Sequence, residues 1–147
     1  MKTSNVLLKI LVSLAFFIPS AHADTFQNKE LVRKFYDLAF NQHQPKKAAL
    51  AFLAEEYIQH NPHVATGRKG FIDAFSDSKE KDESKAVFIR FIAEGDLVVL
   101  HSHKIEKPGD RGVAGVDIFR VKDGKITEHW DVNQRIPEES KNTNTMF

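Results

Sequence analysis

The stretch Gly115-Val-Asp-Ile-Phe-Arg-Val-Lys-Asp-Gly-Lys-Ile-Thr-Glu-His-Trp-Asp131 decides the fold. Two apolar-alternating runs flank Asp123-Gly124, a dipeptide suited to the positive φ angles of a tight hairpin turn. The spacing predicts strands over Val113–Val121 and Lys125–Val132. Both strands carry carboxylates. Asp117 sits among Val116, Ile118 and Phe119, and Asp131 follows Trp130. A carboxylate in a β-branched and aromatic strand is costly unless it is hydrogen-bonded, paired or placed at a cavity. The two aspartates are therefore the first candidate site.

Upstream of the hairpin, Ala86–Ala93 alternates as Val87, Ile89, Phe91 and Ala93, Gly95-Asp96 reads as a turn, and Leu97–Ile105 is a further strand. Earlier still the period changes. Leu31, Val32, Phe35, Leu38 and Ala39 recur at helical spacing within Asn28–Phe40. Pro45 opens a second helix through Leu53, since its missing N–H is not needed there. Tyr57-Ile-Gln-His-Asn-Pro62 is a short extended piece. A third helix follows Thr66-Gly67 and buries Phe71, Ile72 and Phe75. Ser76–Ser84 is a polar loop. Helices followed by an antiparallel meander predict an α+β domain with segregated helices.

The first residues read separately. Lys2 and Lys9, the apolar run Ile10–Ile18 and the Ala21-His22-Ala23 end have the form of a secretory signal peptide. The expected division is residues 1–23 as signal and 24–147 as one mature domain, periplasmic or secreted in a bacterium and free of the membrane after cleavage. The chain has 147 residues, no Cys and a formal charge of +1. Disulfides, thiolate nucleophiles and Cys metal sites are thereby excluded. No basic stripe suggests nucleic acid, and no phosphate-binding loop or Gly-x-Ser-x-Gly elbow occurs.

His101 and His103, two apart on a strand, share a face. The spacing from Gly95 to this pair resembles the opening of the cupin metal motif. The third ligand is missing, because Glu106 falls at the wrong interval and on the opposite strand face. No metal is expected, and the pair reads as polar pocket lining or a wet sheet face. Tyr57 and His60 either line a cavity or belong to a polar loop around Asn61-Pro62. Strand parity puts Ile126, Glu128 and Trp130 on one face and Thr127, His129 and Asp131 on the other. Trp130 and Asp131 share a cavity only if a bulge intervenes or the strand ends there.

Together, Tyr57-Ile-Gln-His-Asn-Pro62, the Thr66-Gly67 helix start and Phe119–Asp131 resemble SnoaL-like proteins of the nuclear-transport-factor-2-like superfamily. The Asn144-Thr-Met-Phe147 ending is similar to bacterial SnoaL-like aldol-condensation-type members. The resemblance implies a cone-shaped α+β barrel, with three N-terminal helices on a curved antiparallel sheet, and a homodimer through the open sheet face. It also implies that Asp131 matches the acid/base Asp of the family's polyketide cyclase, whereas Asp117 replaces that enzyme's pocket His. The expected activity is cofactor-free proton transfer beside a carbonyl: isomerisation, dehydration or aldol-type closure. Asp131 would act with Asp117 and His60, and Tyr57, His101, His103, Phe119 and Trp130 would surround a small apolar or aromatic substrate. The alternatives are a non-catalytic carrier of such a molecule, or a cone plugged by its own aromatics, since the chain has 12 Phe.

Overall fold

The computed structural model describes residues 21–76 and 83–147. The apolar run of the expected signal peptide lies outside them, as does most of the Ser76–Ser84 loop. Helix α1 spans Ala21–Tyr36 and continues into a π-helical turn, Asp37–Asn41. Val32, Phe35, Tyr36 and Ala39 form its buried stripe, the 3.6-residue period of a core-facing helix. Helix α2, Pro45–Phe52, packs through Ala48 and Ala49. Strand β1, Leu53–Gln59, follows directly, and helix α3 spans Gly67–Phe75. Then come β2 (Lys85–Glu94), β3 (Leu97–Ile105), β4 (Val113–Lys122) and β5 (Lys125–Arg135).

The sheet order is β1-β5-β4-β3-β2. Strands β2 to β5 form the expected antiparallel meander. The β4–β5 turn has φ of 50° at Asp123 and 70° at Gly124, as a two-residue hairpin requires. The sheet as a whole is mixed, because β1 joins the edge in parallel to β5. Of the extended piece expected at Tyr57–Pro62, Tyr57–Gln59 is the end of a longer strand and His60–Pro62 lie beyond it, and Gln59 lies opposite His129.

Two register shifts decide which side chains face the helices. In β2, Ile89 is the extra residue between Phe88 and Arg90. Phe88, Phe91 and Ala93 pack on the core, while Val87 is 37% exposed on the far side. The single alternating face expected for Val87, Ile89, Phe91 and Ala93 is therefore split. In β5, Thr127 is the extra residue. The bulge puts buried Ile126 on the same face as His129 and Asp131, and leaves Glu128 and Trp130 on the other.

Aromatic contacts close the core beneath the helices. Phe35 lies 5.5 Å from Phe71 and 6.1 Å from Phe119 between ring centroids. The approach of α3 depends on Gly70, where a Cβ would stand 2.2 Å from the Ala65 carbonyl oxygen. Gly70→Ala is accordingly expected to destabilise the fold by about 1–3 kcal/mol, the usual effect of overpacking against backbone that cannot yield. A urea midpoint equal to that of the parent would contradict this.

Candidate functional site

The inner face of the sheet and the helices enclose a cavity of about 400 Å³. Its walls are aromatic: Phe35, Tyr36, Phe40, Tyr57, Phe71, Phe75 and Phe119. They line this space without filling it. Its polar lining comes largely from the sheet: Gln59 on β1, Lys104 on β3, Asp117 on β4, and His129, Asp131 and Asn133 on β5, with Asn61 just after β1.

Asp117 and Asp131 are direct cross-strand partners. Like charges so placed repel, and each carboxylate is compensated in a different way. Asp117 is 2% exposed. Lys104 Nζ lies 3.2 Å from its oxygens, His129 Nε2 lies 3.3 Å away, and the Tyr36 hydroxyl donates from 3.4 Å. Lys104 crosses to it over Gly115, where a Cβ would stand 2.6 Å from Lys104 Cε. A glycine inside a strand here marks a close approach. Asp131 is half-buried and receives amides: Asn61 Nδ2 at 2.8 and 3.0 Å, and Asn133 Nδ2 at 2.6 Å. No cation is among its described partners.

The two buried phenols remain protonated. Tyr36 is pushed well above its ordinary value by burial and then by the Asp117 charge. Tyr57 is raised by burial first, then by Asp117 and Asp131. Burial disfavours a phenolate, and nearby carboxylates disfavour it further.

Asp131, Asp117, Tyr57 and Phe119 thus meet at one cavity. The other expected site residues lie elsewhere. His60 Nε2 bonds Glu128 Oε1 at 2.9 Å on the outer face, and its ring stacks on Trp130 at 4.7 Å. Arg120 bonds Glu128 from the same side at 2.8 Å. Arg120 first, and His60 second, hold the Glu128 carboxyl below its usual value. Trp130 fails to reach the cavity because the bulge falls at Thr127, upstream of both Trp130 and Asp131. His101 and His103 also face outward, where the Phe147 ring lies 5.5 and 4.6 Å from them. Among the described residues, no three His, Asp or Glu side chains gather as a metal site.

Sequence reasoning missed His129, Lys104, Asn61, Gln59, Tyr36 and Asn133. Two signals were present. His129 lies two residues from Asp131 on one strand, and Gly115 interrupts an otherwise well-filled strand. Asn61 read only as a turn residue, because its partner Asp131 lies 70 positions away.

The architecture is the cone-shaped α+β fold of nuclear-transport-factor-2-like proteins. Within it, the chain belongs to the SnoaL-like domain family, whose model matches residues 32–129. Among solved structures it is similar to TsrD from Streptomyces laurentii, with 25% identity, a TM-score of 0.60 and coverage of 74% of this chain and 88% of that one. A candidate ketosteroid isomerase from Kribbella flavida is 22% identical, with a TM-score of 0.66 and coverage of 81% and 86%. A candidate SnoaL-like polyketide cyclase from Jannaschia sp. is 18% identical, with a TM-score of 0.60 and coverage of 74% and 86%. The latter two likenesses establish the fold alone. No curated protein matches the sequence significantly.

Proposed function

We propose that the protein catalyses cofactor-free proton transfer beside a carbonyl group in a small apolar or aromatic molecule, with Asp131 as the base. One observation carries this reading. Of the two facing carboxylates, Asp117 is occupied by Lys104 and His129, whereas Asp131 is oriented by amides and is half-buried at the cavity. Amide donors position a carboxylate without supplying a permanent counter-charge, and a positioned base of this kind is what general base catalysis needs. The isomerase and cyclase names among the fold neighbours suit this class of reaction.

The test is exchange of α-protons for deuterium in 2-tetralone, followed by proton NMR in D₂O. Catalysed exchange that disappears in Asp131→Asn supports the assignment. Equal exchange by both proteins, or none by either, overturns it. A ketone that binds without exchange would favour a carrier.

We further propose that two copies pair through the open sheet face. Val87, Ile92, Val116 and Val132 are 37%, 60%, 40% and 75% exposed there, and an apolar face of this kind suits an interface. Light scattering at micromolar concentration is expected to give twice the one-chain mass, and a one-chain mass would refute the pairing. Export to the periplasm is proposed from the Lys2-to-Ala23 pattern. Protein recovered from the cell envelope should begin at Asp24, and an intact mass retaining Met1–Ala23 would exclude cleavage.

A further inference from the structure

Gln59, at the end of β1, stands between three polar groups. Its Oε1 lies 3.0 Å from the Asn61 backbone nitrogen and 2.9 Å from His129 Nδ1, and its Nε2 lies 2.9 Å from the Tyr57 hydroxyl oxygen. A backbone N–H can only donate. The Gln59 atom facing Asn61 is therefore the carbonyl oxygen, and the amide cannot be turned over. His129 Nδ1 faces that same oxygen and must carry a hydrogen. At the other end, Gln59 Nε2 donates to Tyr57, so the Tyr57 oxygen is an acceptor within the protein. Its own hydrogen has no protein acceptor among the described residues.

The segment holding this arrangement is tied on both sides. Thr66 Oγ1 donates to the Tyr57 carbonyl at 3.2 Å and accepts the Gln59 N–H at 3.2 Å. The His60 N–H donates to the His129 carbonyl at 3.0 Å. These bonds fix the backbone that carries Tyr57, and its side chain is buried in the core.

We propose that Gln59 sets a one-way hydrogen-bond chain that makes the Tyr57 hydroxyl the donor to the oxygen of a bound aryl or cyclic ketone. The inference rests on the proton-transfer reading above and names its second partner. Asp131 takes the proton from the α-carbon. The C–H electron pair becomes the C=C bond, and the carbonyl π pair moves to the oxygen held by Tyr57. Returning the proton to carbon closes the cycle. A donor fixed in advance where negative charge develops is an effective form of transition-state stabilisation. The aromatic wall formed by Phe35, Phe40 and Phe71 suits a ring on the ketone.

Two measurements test it. In protein with ¹⁵N-labelled histidine, His129 Nδ1 is expected to carry a hydrogen at neutral pH. A bare Nδ1 overturns the chain. With [¹³C=O]-acetophenone bound, the carbonyl stretch is expected at lower frequency in the parent than in Tyr57→Phe, and affinity is expected to fall roughly three- to tenfold in that variant, the usual range for one neutral hydrogen bond. Gln59→Glu keeps the Tyr57 phenol but offers a carboxylate that accepts from it. The Tyr57 hydrogen then turns away from the ketone, and the band is expected to rise as in Tyr57→Phe. Bound acetophenone with the same band in all three proteins overturns this inference alone. Acetophenone absent from the cavity at millimolar concentration overturns the ligand-site reading and this inference with it.

Discussion

Asp131→Asn is expected to lower catalysed α-proton exchange by about 10²–10⁴-fold, the usual contribution of a general acid or base, and to leave the fold intact. The side chains are the same shape, but an amide takes up no proton at neutral pH. Asn61 Nδ2 can still donate to the new amide oxygen, and the mutual repulsion of two facing carboxylates is removed. The unfolding midpoint is therefore expected to change little or to rise. Asp117→Asn should reduce turnover less, because Asp117 is engaged with Lys104 and His129. Turnover and unfolding midpoints of both variants, measured side by side, decide the matter. Full activity in Asp131→Asn would make Asp131 a structural residue, as would an unfolded Asp131→Asn beside an inactive but folded Asp117→Asn.

The largest loss of stability is expected from Lys104→Met. Methionine preserves much of the aliphatic stem over Gly115 but removes the ammonium that neutralises Asp117. The Asp117 side chain is 3% exposed and that of Lys104 is 27% exposed. Breaking a buried pair from one side leaves an uncompensated charge and costs about 3–5 kcal/mol. In a domain of this size that lowers the melting midpoint by roughly 10 °C or more. The double variant Lys104→Met/Asp117→Leu should recover more than half of the loss, since it removes the orphaned charge as well. A double variant no more stable than Lys104→Met would place the loss in the packing of the lysine stem.

The parts of the fold that were legible in the sequence are those set by local physics. Asp123-Gly124 specifies a turn because few residues tolerate positive φ in succession. Pro45 opens α2, and the stripe Val32, Phe35 and Ala39 buries one side of α1 for reasons contained within a few residues. Asp117 and Asp131 stood out because each is a charge where an apolar strand should exclude one. The family-bearing segments were also local, and the SnoaL-like match falls on residues 32–129.

What the sequence could not assign is the face of each side chain and the identity of distant partners. Strand parity holds only until a bulge, and one extra residue reverses every side chain beyond it. The bulge at Thr127 placed Ile126, His129 and Asp131 together and sent Glu128 and Trp130 outward. The absence of any bulge between His101 and Lys104 put both histidines outside and the lysine within. The parallel docking of β1 against β5 brought Gln59 to His129 and Asn61 to Asp131, across 70 positions of chain. By itself the sequence determined the elements, the turns and the two carboxylates, because backbone sterics and burial act over a few residues. Only the tertiary structure decided that Asp117 is neutralised, Asp131 is left with amides and His60 lies outside, because those outcomes depend on which strands meet and in what register.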